Sequence, residues 1–399
     1  MDRTVGTIVR GVRTPVIREG DNLVDIVVES LERCRAEQGF AYRDFDVVGV
    51  TEAVVARAQG NYASIEAIRD DVADKLQSDE FAVVFPILSR NRFAICLKGI
   101  AMAARKIHLV LSYPTDEVGN RMFDETLLYE KNINPWCDEL SLERYRELFG
   151  NTPHSITGVD YVAYYKEIIE ESGAECEITF SNSFSGIAKK YKDILLCNIH
   201  GRERNKKLLL DGGAKNVALL SDILNKGRTG CDGYNDLYGL LGSNKASEER
   251  VKLFPRDCGA FIDALREKLA AVSGRQIEVL VYGDGAYKDP ASMIWELADP
   301  VVSPAYSALL DGRPNEMKLK YLADSEFISL SGDELTAAVR ERISAKTGDL
   351  SASMLSEGTT PRMFYDLLGS LCDLTSGSGD KGTPVVYVQG YFDNYSKQE

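Results

Sequence analysis

Two aspartates in glycine-rich turns are the residues of this chain best suited to hold a metal ion. Asp284 follows an apolar run, residues 277–282, and stands between Gly283 and Gly285. Glycines let the backbone come close to a ligand, and magnesium and manganese prefer oxygen ligands such as carboxylates. Lys288 follows shortly after and is placed to face a phosphate. An aspartate that only caps the turn is the competing interpretation, and the residues alone leave both open.

Asp232 occupies a second segment of this kind, which runs from Thr229 to Asn235 and contains two glycines. The amide of Asn235 follows the aspartate closely in sequence. Taken alone, the segment favours an Asx turn in a surface loop. Residues 226–250 as a whole are rich in glycine, asparagine, serine and charge, and a loop of that length is uncommon in a compact domain unless it is functional or mobile.

Other catalytic motifs are weak or missing. The pattern G-x-G-x-x-G occurs once, at Gly377, Gly379 and Gly382. A helix is predicted before it and a strand after it, the reverse of a dinucleotide-binding fingerprint, so we interpret it as a flexible turn. The sequence has no P-loop and no G-x-S-x-G elbow. Its three histidines and eight cysteines lack metal-site and C-x-x-C spacing, and the cysteines are predicted to be reduced thiols.

The densest basic segment is residues 200–207, with the sequence HGRERNKK. It directly follows an apolar run that reads as a buried strand, the position where α/β folds place ligand loops. A solvated helix start explains the same composition, and the residues favour that interpretation.

The overall charge limits the classes of partner. The chain has 399 residues and a net charge of −14, which makes nucleic acid a poor partner, since a polyphosphate-binding face needs clustered Lys and Arg. A local basic pocket for a small phosphate ligand remains compatible with this charge. No apolar h-region or membrane-length apolar stretch is present, so we expect a cytoplasmic enzyme with no membrane partner.

The pattern of elements predicts an α+β (mixed α/β) fold with mixed sheets and interleaved helices. Strands are expected over 46–51 and 277–282, where most residues are apolar. Apolar residues at three- and four-residue spacing predict helices, among them 23–34, 64–76, 142–149 and 258–272.

Several of these segments, taken in order, resemble the coenzyme F-420 gamma-glutamyl ligase family. The family pattern of a Pro, then Gly-Asp, then an apolar helix is matched near the start by Pro15, by Gly20 and Asp21, and by the helix at 23–34. Residues 46–61, DVVGVTEAVVARAQGN, resemble a family segment that ends in K-A-E-G-R. Residues 230–235, GCDGYN, resemble the family's G-I-D-x-S-N, and residues 283–290, GDGAYKDP, resemble its S-D-T/S-x-G-R-P. Residues 253–258 and the end of the chain, PVVYVQG, continue the likeness.

This resemblance implies a ligase that uses GTP and magnesium or manganese to join a carboxylate to an amino acid, glutamate in the family, through an acyl phosphate. It implies metal ligands at Asp232 and Asp284 and phosphate contacts at Lys288 and Arg57. Asn235, Gly283 and Gly285 would lie at the nucleotide, and a homodimer is expected.

The resemblance also has gaps. Gln59, Tyr234 and Lys288 replace a Glu, a Ser and an Arg of the family pattern. Residues 81–227 are predicted to be an insert or second domain, and residues 1–80 with 228–399 the two-domain ligase-like core. Two other functions remain open: a non-catalytic protein that binds a nucleotide or metabolite, and a metal-dependent phosphohydrolase.

Overall fold

The computed structural model describes residues 4–155, 157–227, 233–283, 287–288, 295–296, 303–357, 362–376 and 379–396. Within them the strands are β1 (Ile8–Val12), β2 (Val47–Thr51), β3 (Tyr62–Ser64), β4 (Glu80–Val84), β5 (Lys106–Leu111), β6 (Leu140–Ser141), β7 (Glu175–Phe180), β8 (Asp193–Leu196), β9 (Asn216–Leu219), β10 (Asn244–Lys245), β11 (Arg250–Lys252), β12 (Glu278–Tyr282), β13 (Tyr287–Lys288), β14 (Trp295–Glu296), β15 (Ala305–Tyr306) and β16 (Val385–Gln389).

The α-helices of the same residues are α1 (Leu23–Gln38), α2 (Glu52–Ala58), α3 (Ile65–Leu76), α4 (Phe93–Ala101), α5 (Thr126–Glu130), α6 (Leu142–Phe149), α7 (Tyr161–Glu171), α8 (Phe184–Lys190), α9 (Arg202–Asp211), α10 (Cys258–Ser273), α11 (Leu319–Asp324), α12 (Gly332–Ser344) and α13 (Phe364–Ser376). Helices alternate with strands of mixed direction, which confirms the predicted α+β class. No described helix has the length and apolar character that crossing a bilayer requires.

A five-stranded sheet carries the segments singled out by sequence. Its order is β1-β16-β2-β12-β15. β2 and β12 are parallel, with Thr51 opposite Tyr282, while the other neighbours are antiparallel. Because parallel strands in register end at the same edge of a sheet, Glu52 and Gly283 leave the sheet side by side.

Both faces of this sheet are covered by helices. Val48 and Val50 of β2 point to one face, where they join the apolar cluster of α1 and α10, and Val47 belongs to the opposite face, under α13. A Cβ atom on Gly49 would lie 2.5 Å from Cys372 Sγ of α13. The close approach of α13 therefore requires glycine at this point of β2.

A second sheet has six strands in the order β6-β7-β5-β4-β8-β9, all parallel except the edge strand β6. The chain enters at the central strand β4, adds β5 and β7 on one side, and then crosses to add β8 and β9 on the other. α3, α4 and α7 pack on one face and α8 and α9 on the other. This is a doubly wound arrangement, whose topological switch point lies between β4 and β8.

The helix α3 shares its core with the six-stranded sheet. Ile68 and Val72, both fully buried, belong to the same apolar cluster as Leu97 of α4 and Leu109 of β5. The predicted division into residues 81–227 and a surrounding core stays a prediction. α3 is one of the segments through which the two parts pack, together with Leu240, Val251 and Leu253 of the same apolar cluster.

Most predicted elements are present with small shifts of their ends. The helix α13 and the strand β16 flank the glycine segment 377–382 in the predicted order. The strand β7 was not predicted, since Glu175 and Glu177 interrupt its apolar pattern at positions where their side chains reach solvent. The predicted long loop 226–250 contains two short strands, β10 and β11, which extend from β3.

Candidate active site at the ends of two parallel strands

A buried ion pair lies where β2 ends. Glu52, the residue after the strand, pairs with Lys252 of β11 at 2.5 Å, and their side chains are 9% and 12% exposed. Charges this poorly solvated depend strongly on each other, so the pair holds β11 against the end of β2. Sequence reasoning did not single out these residues. The signal was present, because Glu52 follows a buried strand directly, and Asp284 was singled out for a similar position, one glycine after a strand.

Asn61 connects three segments of this region. Its side chain is fully buried, and its Nδ2 donates to the carbonyl oxygens of Phe254, at 2.6 Å, and Tyr234, at 2.9 Å. Its Oδ1 accepts from the backbone N–H of Tyr234 at 3.1 Å. A Cβ atom on Gly233 would lie 2.2 Å from that Oδ1, so only glycine fits there. Asn61 thus fixes the described residues that come directly after Asp232.

Asn235 also fixes the loop that follows Asp232. Its Nδ2 donates to the carbonyl oxygen of Pro255 at 3.0 Å, and its Oδ1 accepts from the backbone N–H groups of Leu237 and Tyr238. The residue is 3% exposed. Since these partners occupy the amide on both sides, Asn235 positions the loop. Contact between its side chain and a nucleotide or metal shell stays a prediction.

Gln59, a departure from the family pattern, has a structural role. Its Nε2 donates to the carbonyl oxygen of Arg256, and its Oε1 accepts from the N–H of the same residue at 2.8 Å. A glutamate can accept the second bond but, when ionised, cannot donate the first. The amide therefore clamps the end of α2 to the loop that follows β11.

The other predicted site residues are placed as follows. Arg57 lies in the last turn of α2, exposed, on the same helix as Glu52. Gly283 is buried directly after β12. Lys288 belongs to β13, opposite Trp295, and its side chain is outside what the structure describes. Asp232, Asp284 and Gly285 lie outside the described residues altogether, so their assignments stay predictions.

The charges of this region suit an anion more than a covalent nucleophile. Arg256 lies over the ring of Tyr234, 5.0 Å from its centroid, and together with Arg57 it gives the site two cationic residues besides Lys252, whose charge is offset by Glu52. Cys258, at the start of α10, is buried, and burial raises the pKa of its thiol to about 12. A thiol with that pKa stays protonated at neutral pH, which argues against thiolate chemistry here.

The described residues include no group of three or more His, Cys, Asp or Glu side chains able to hold a metal ion. A metal at this site would thus need a ligand from outside the described ranges. The two predicted aspartates are both attached in sequence to described glycines of this region, Gly233 and Gly283.

The fold and the strand-end site define an α+β protein with Arg57 and Arg256 near the end of β2. A comparison with family models matches residues 11–390 to F420-0:Gamma-glutamyl ligase. The chain belongs to this family. The matched span runs from within β1 to just past β16 and includes residues 81–227. A comparison with curated proteins gives no match.

Proposed function

We propose that this protein is a GTP-dependent and divalent-metal-dependent ligase that forms an amide bond of the γ-glutamyl type between a carboxylate substrate and an amino acid. The observation that carries the proposal is the family match over residues 11–390. The described geometry supports it, because the family-like segments 46–61, 233–235 and 253–258 meet in one network of contacts around Asn61 and Gln59.

In the proposed reaction a carboxylate oxygen of the acid attacks the γ-phosphorus of GTP, and GDP leaves. The product is an acyl phosphate. The free amine of the amino acid then attacks the acyl carbon, the C–O bond to phosphate breaks, and the amine loses a proton as the amide forms. Activation by phosphate is needed because amide formation from a free carboxylate is unfavourable in water, and catalysis of such a transfer depends mainly on positioning and on charge neutralisation.

The residues have distinct roles in this proposal. Asp232 and Asp284 would hold magnesium or manganese, which when bound offsets the negative charge of the phosphates. Arg57 and Lys288 would contact phosphate oxygens directly. Gly283 and Gly285 let the nucleotide approach the backbone, and Asn235 keeps the loop after Asp232 in place. A cytoplasmic homodimer, with no nucleic acid or membrane partner, completes the proposal.

Thermal unfolding tests the nucleotide and metal requirements. The full-length protein is melted with GTP, ATP or GDP, each with and without manganese or magnesium, beside Asp232→Asn and Asp284→Asn. A ligand at a hundredfold its Kd adds roughly 2.7 kcal/mol to the unfolding free energy. We expect a metal-dependent shift with GTP that both variants lose. Asp236→Asn, an exposed acid of the same loop, is the matched control and should keep the shift.

Turnover separates the three candidate functions. Phosphate release from GTP is measured with a panel of amino acids and carboxylates, in parallel with mass spectrometry of the products. A ligase releases phosphate only when both acceptors are present, and a new amide appears. Phosphate release without an amine would indicate the phosphohydrolase. A thermal shift with no turnover under any combination would indicate the non-catalytic binding protein.

A further inference from the structure

A cavity lies at the carboxyl ends of the six-stranded sheet. Its volume is about 550 Å³, within the range of small-molecule sites. The ends of four parallel strands line it: Phe85 follows β4, Tyr113 follows β5, Asn182 follows β7 and Asn198 follows β8. We call it the switch cavity, because it opens beside the switch point between β4 and β8, the place where doubly wound sheets bind ligands.

The floor of the switch cavity contains an unused acceptor. Asn198 is 3% exposed, and its Nδ2 donates to the carbonyl oxygen of His200. Its Oδ1 is buried and accepts no hydrogen bond from any residue that the structure describes. A buried acceptor without a hydrogen bond raises the free energy of the folded state. A ligand N–H or O–H group at the cavity floor would supply that hydrogen bond.

Three aromatic side chains, Phe85, Trp136 and Phe184, line the cavity. Phe184 packs edge-on against Phe85 with ring centroids 5.5 Å apart. Phe85 has a φ of 55°, a strained conformation for a bulky residue, and such strain concentrates at functional sites. Trp136, on the rim, is 77% exposed. These rings offer stacking surfaces to a planar group.

Charged residues also line the cavity, among them Glu117 and Arg204. Arg204 lies in the first turn of α9, and the N-cap of that helix is Gly201, which has no side chain to bond the first N–H groups. Glu117 accepts from the backbone N–H groups of Ile199 and His200, so an anion of the protein itself already occupies those two donors. An anionic group of a ligand would therefore bind at the α9 terminus beside Arg204.

From the unpaired acceptor, the aromatic residues and the cationic helix start, we propose that the switch cavity binds a nucleoside monophosphate. This site is separate from that of the GTP in the proposed ligase reaction. The base would stack against Trp136 and Phe184, an N–H or O–H group would donate to Asn198 Oδ1, and the phosphate would lie at Arg204. The carboxylate of Glu117 has acceptor capacity left for sugar hydroxyls. The basic segment 200–207 is thus a helix start, as its composition favours, and also one wall of a ligand site.

Isothermal titration calorimetry of the full-length protein with AMP and GMP tests this site. The buffer contains EDTA, so that a metal-dependent nucleotide site makes no contribution. We expect saturable binding, weakened about tenfold by Trp136→Ala and by Arg204→Ala and abolished by Asn198→Leu. Adenosine and inorganic phosphate, tested separately, should each bind at least about tenfold more weakly than AMP.

Matched variants test whether the loss of binding is specific to residues that line the cavity. Tyr129→Ala removes an aromatic side chain that is 87% exposed, and Lys207→Ala removes an exposed cation of α9 that does not line the cavity; both should bind AMP as the unmodified protein does. Asp284→Asn should also retain it, since failure of the ligase site leaves this site intact. No binding of either monophosphate, or binding that Trp136→Ala and Arg204→Ala leave unchanged, overturns the proposal.

Discussion

At the scale of single residues, the structure explains one departure from the family pattern, Gln59. Gln59 both donates to and accepts from the backbone of Arg256, a pair of bonds that an ionised glutamate cannot make. The missing carboxylate at Gln59 is therefore a change in how the loop is held, and by itself it does not indicate a decayed site.

Asp116 allows a prediction about pH. It is 5% exposed, accepts from the N–H groups of Leu88 and Asn120, and its burial raises the pKa of the carboxyl to about 6. Below pH 4 the carboxyl is protonated in both the folded and the unfolded chain. As the pH rises through 6 the folded state must ionise a buried group, so the stability that this residue contributes is lost.

Asp116→Asn should remove this dependence, because an amide stays neutral. The unfolding free energy of the unmodified protein, relative to the variant, should fall by about 3 kcal/mol between pH 4 and pH 7. Urea unfolding at several pH values measures it. A difference between the two proteins that stays constant over this range would contradict the raised pKa.

At the scale of elements, the site depends on how β2, β11 and β12 are joined. The parallel pairing of β2 and β12 brings Glu52 and Gly283 to one edge, and the Glu52–Lys252 pair attaches β11 to the same edge. The short sheet of β3, β10 and β11 thereby holds the loop of residues 253–257 near the ends of the long strands.

Lys252→Met tests that attachment. It leaves the Glu52 carboxylate buried without its lysine, and removing one partner of a buried pair costs about 3–5 kcal/mol. We expect a loss of this size in the free energy of unfolding, measured with urea. The double variant with Glu52→Gln should recover part of it.

Arg144→Met is the control for this experiment. Arg144 and Glu147 also form an ion pair, but their side chains are 55% and 62% exposed, and exposed pairs contribute about 1 kcal/mol or less. If Lys252→Met costs no more than Arg144→Met, the buried pair does not hold β11.

At the scale of the whole molecule, α3 lies outside residues 81–227 and yet belongs to the core of the six-stranded sheet. Its buried face, including Ile68 and Val72, packs on α4 and the six-stranded sheet. If residues 81–227 form an insert, as we propose, their removal leaves this face without its cover, and each large apolar side chain so exposed costs roughly 1.5–3 kcal/mol.

A chain with residues 81–227 replaced by a short flexible linker should therefore fail to unfold cooperatively and should aggregate. Circular dichroism melts and size-exclusion chromatography compare it with the full-length protein. Polar replacements of Ile68 and Val72 in the shortened chain should improve its solubility. A soluble shortened chain with a cooperative melt would show instead that the ligase-like core is independent of the six-stranded sheet.

The sequence by itself determined the elements whose signals are local. The apolar spacing predicted α1, α3, α6 and α10, and the mostly apolar runs predicted β2 and β12, because the face that a residue buries follows from the period of its own element. The α+β class and the family resemblance came from the order of these elements and motifs.

Only the tertiary structure decided which distant residues meet. The pairing of Val47 with Glu278, the bonds from Asn61 to Tyr234 and Phe254, and the order of the six-stranded sheet join segments far apart in the chain. No local pattern encodes such a contact, because it depends on packing over the whole sheet. For the same reason the sequence did not indicate the unpaired Oδ1 of Asn198, which is buried where the ends of four strands meet.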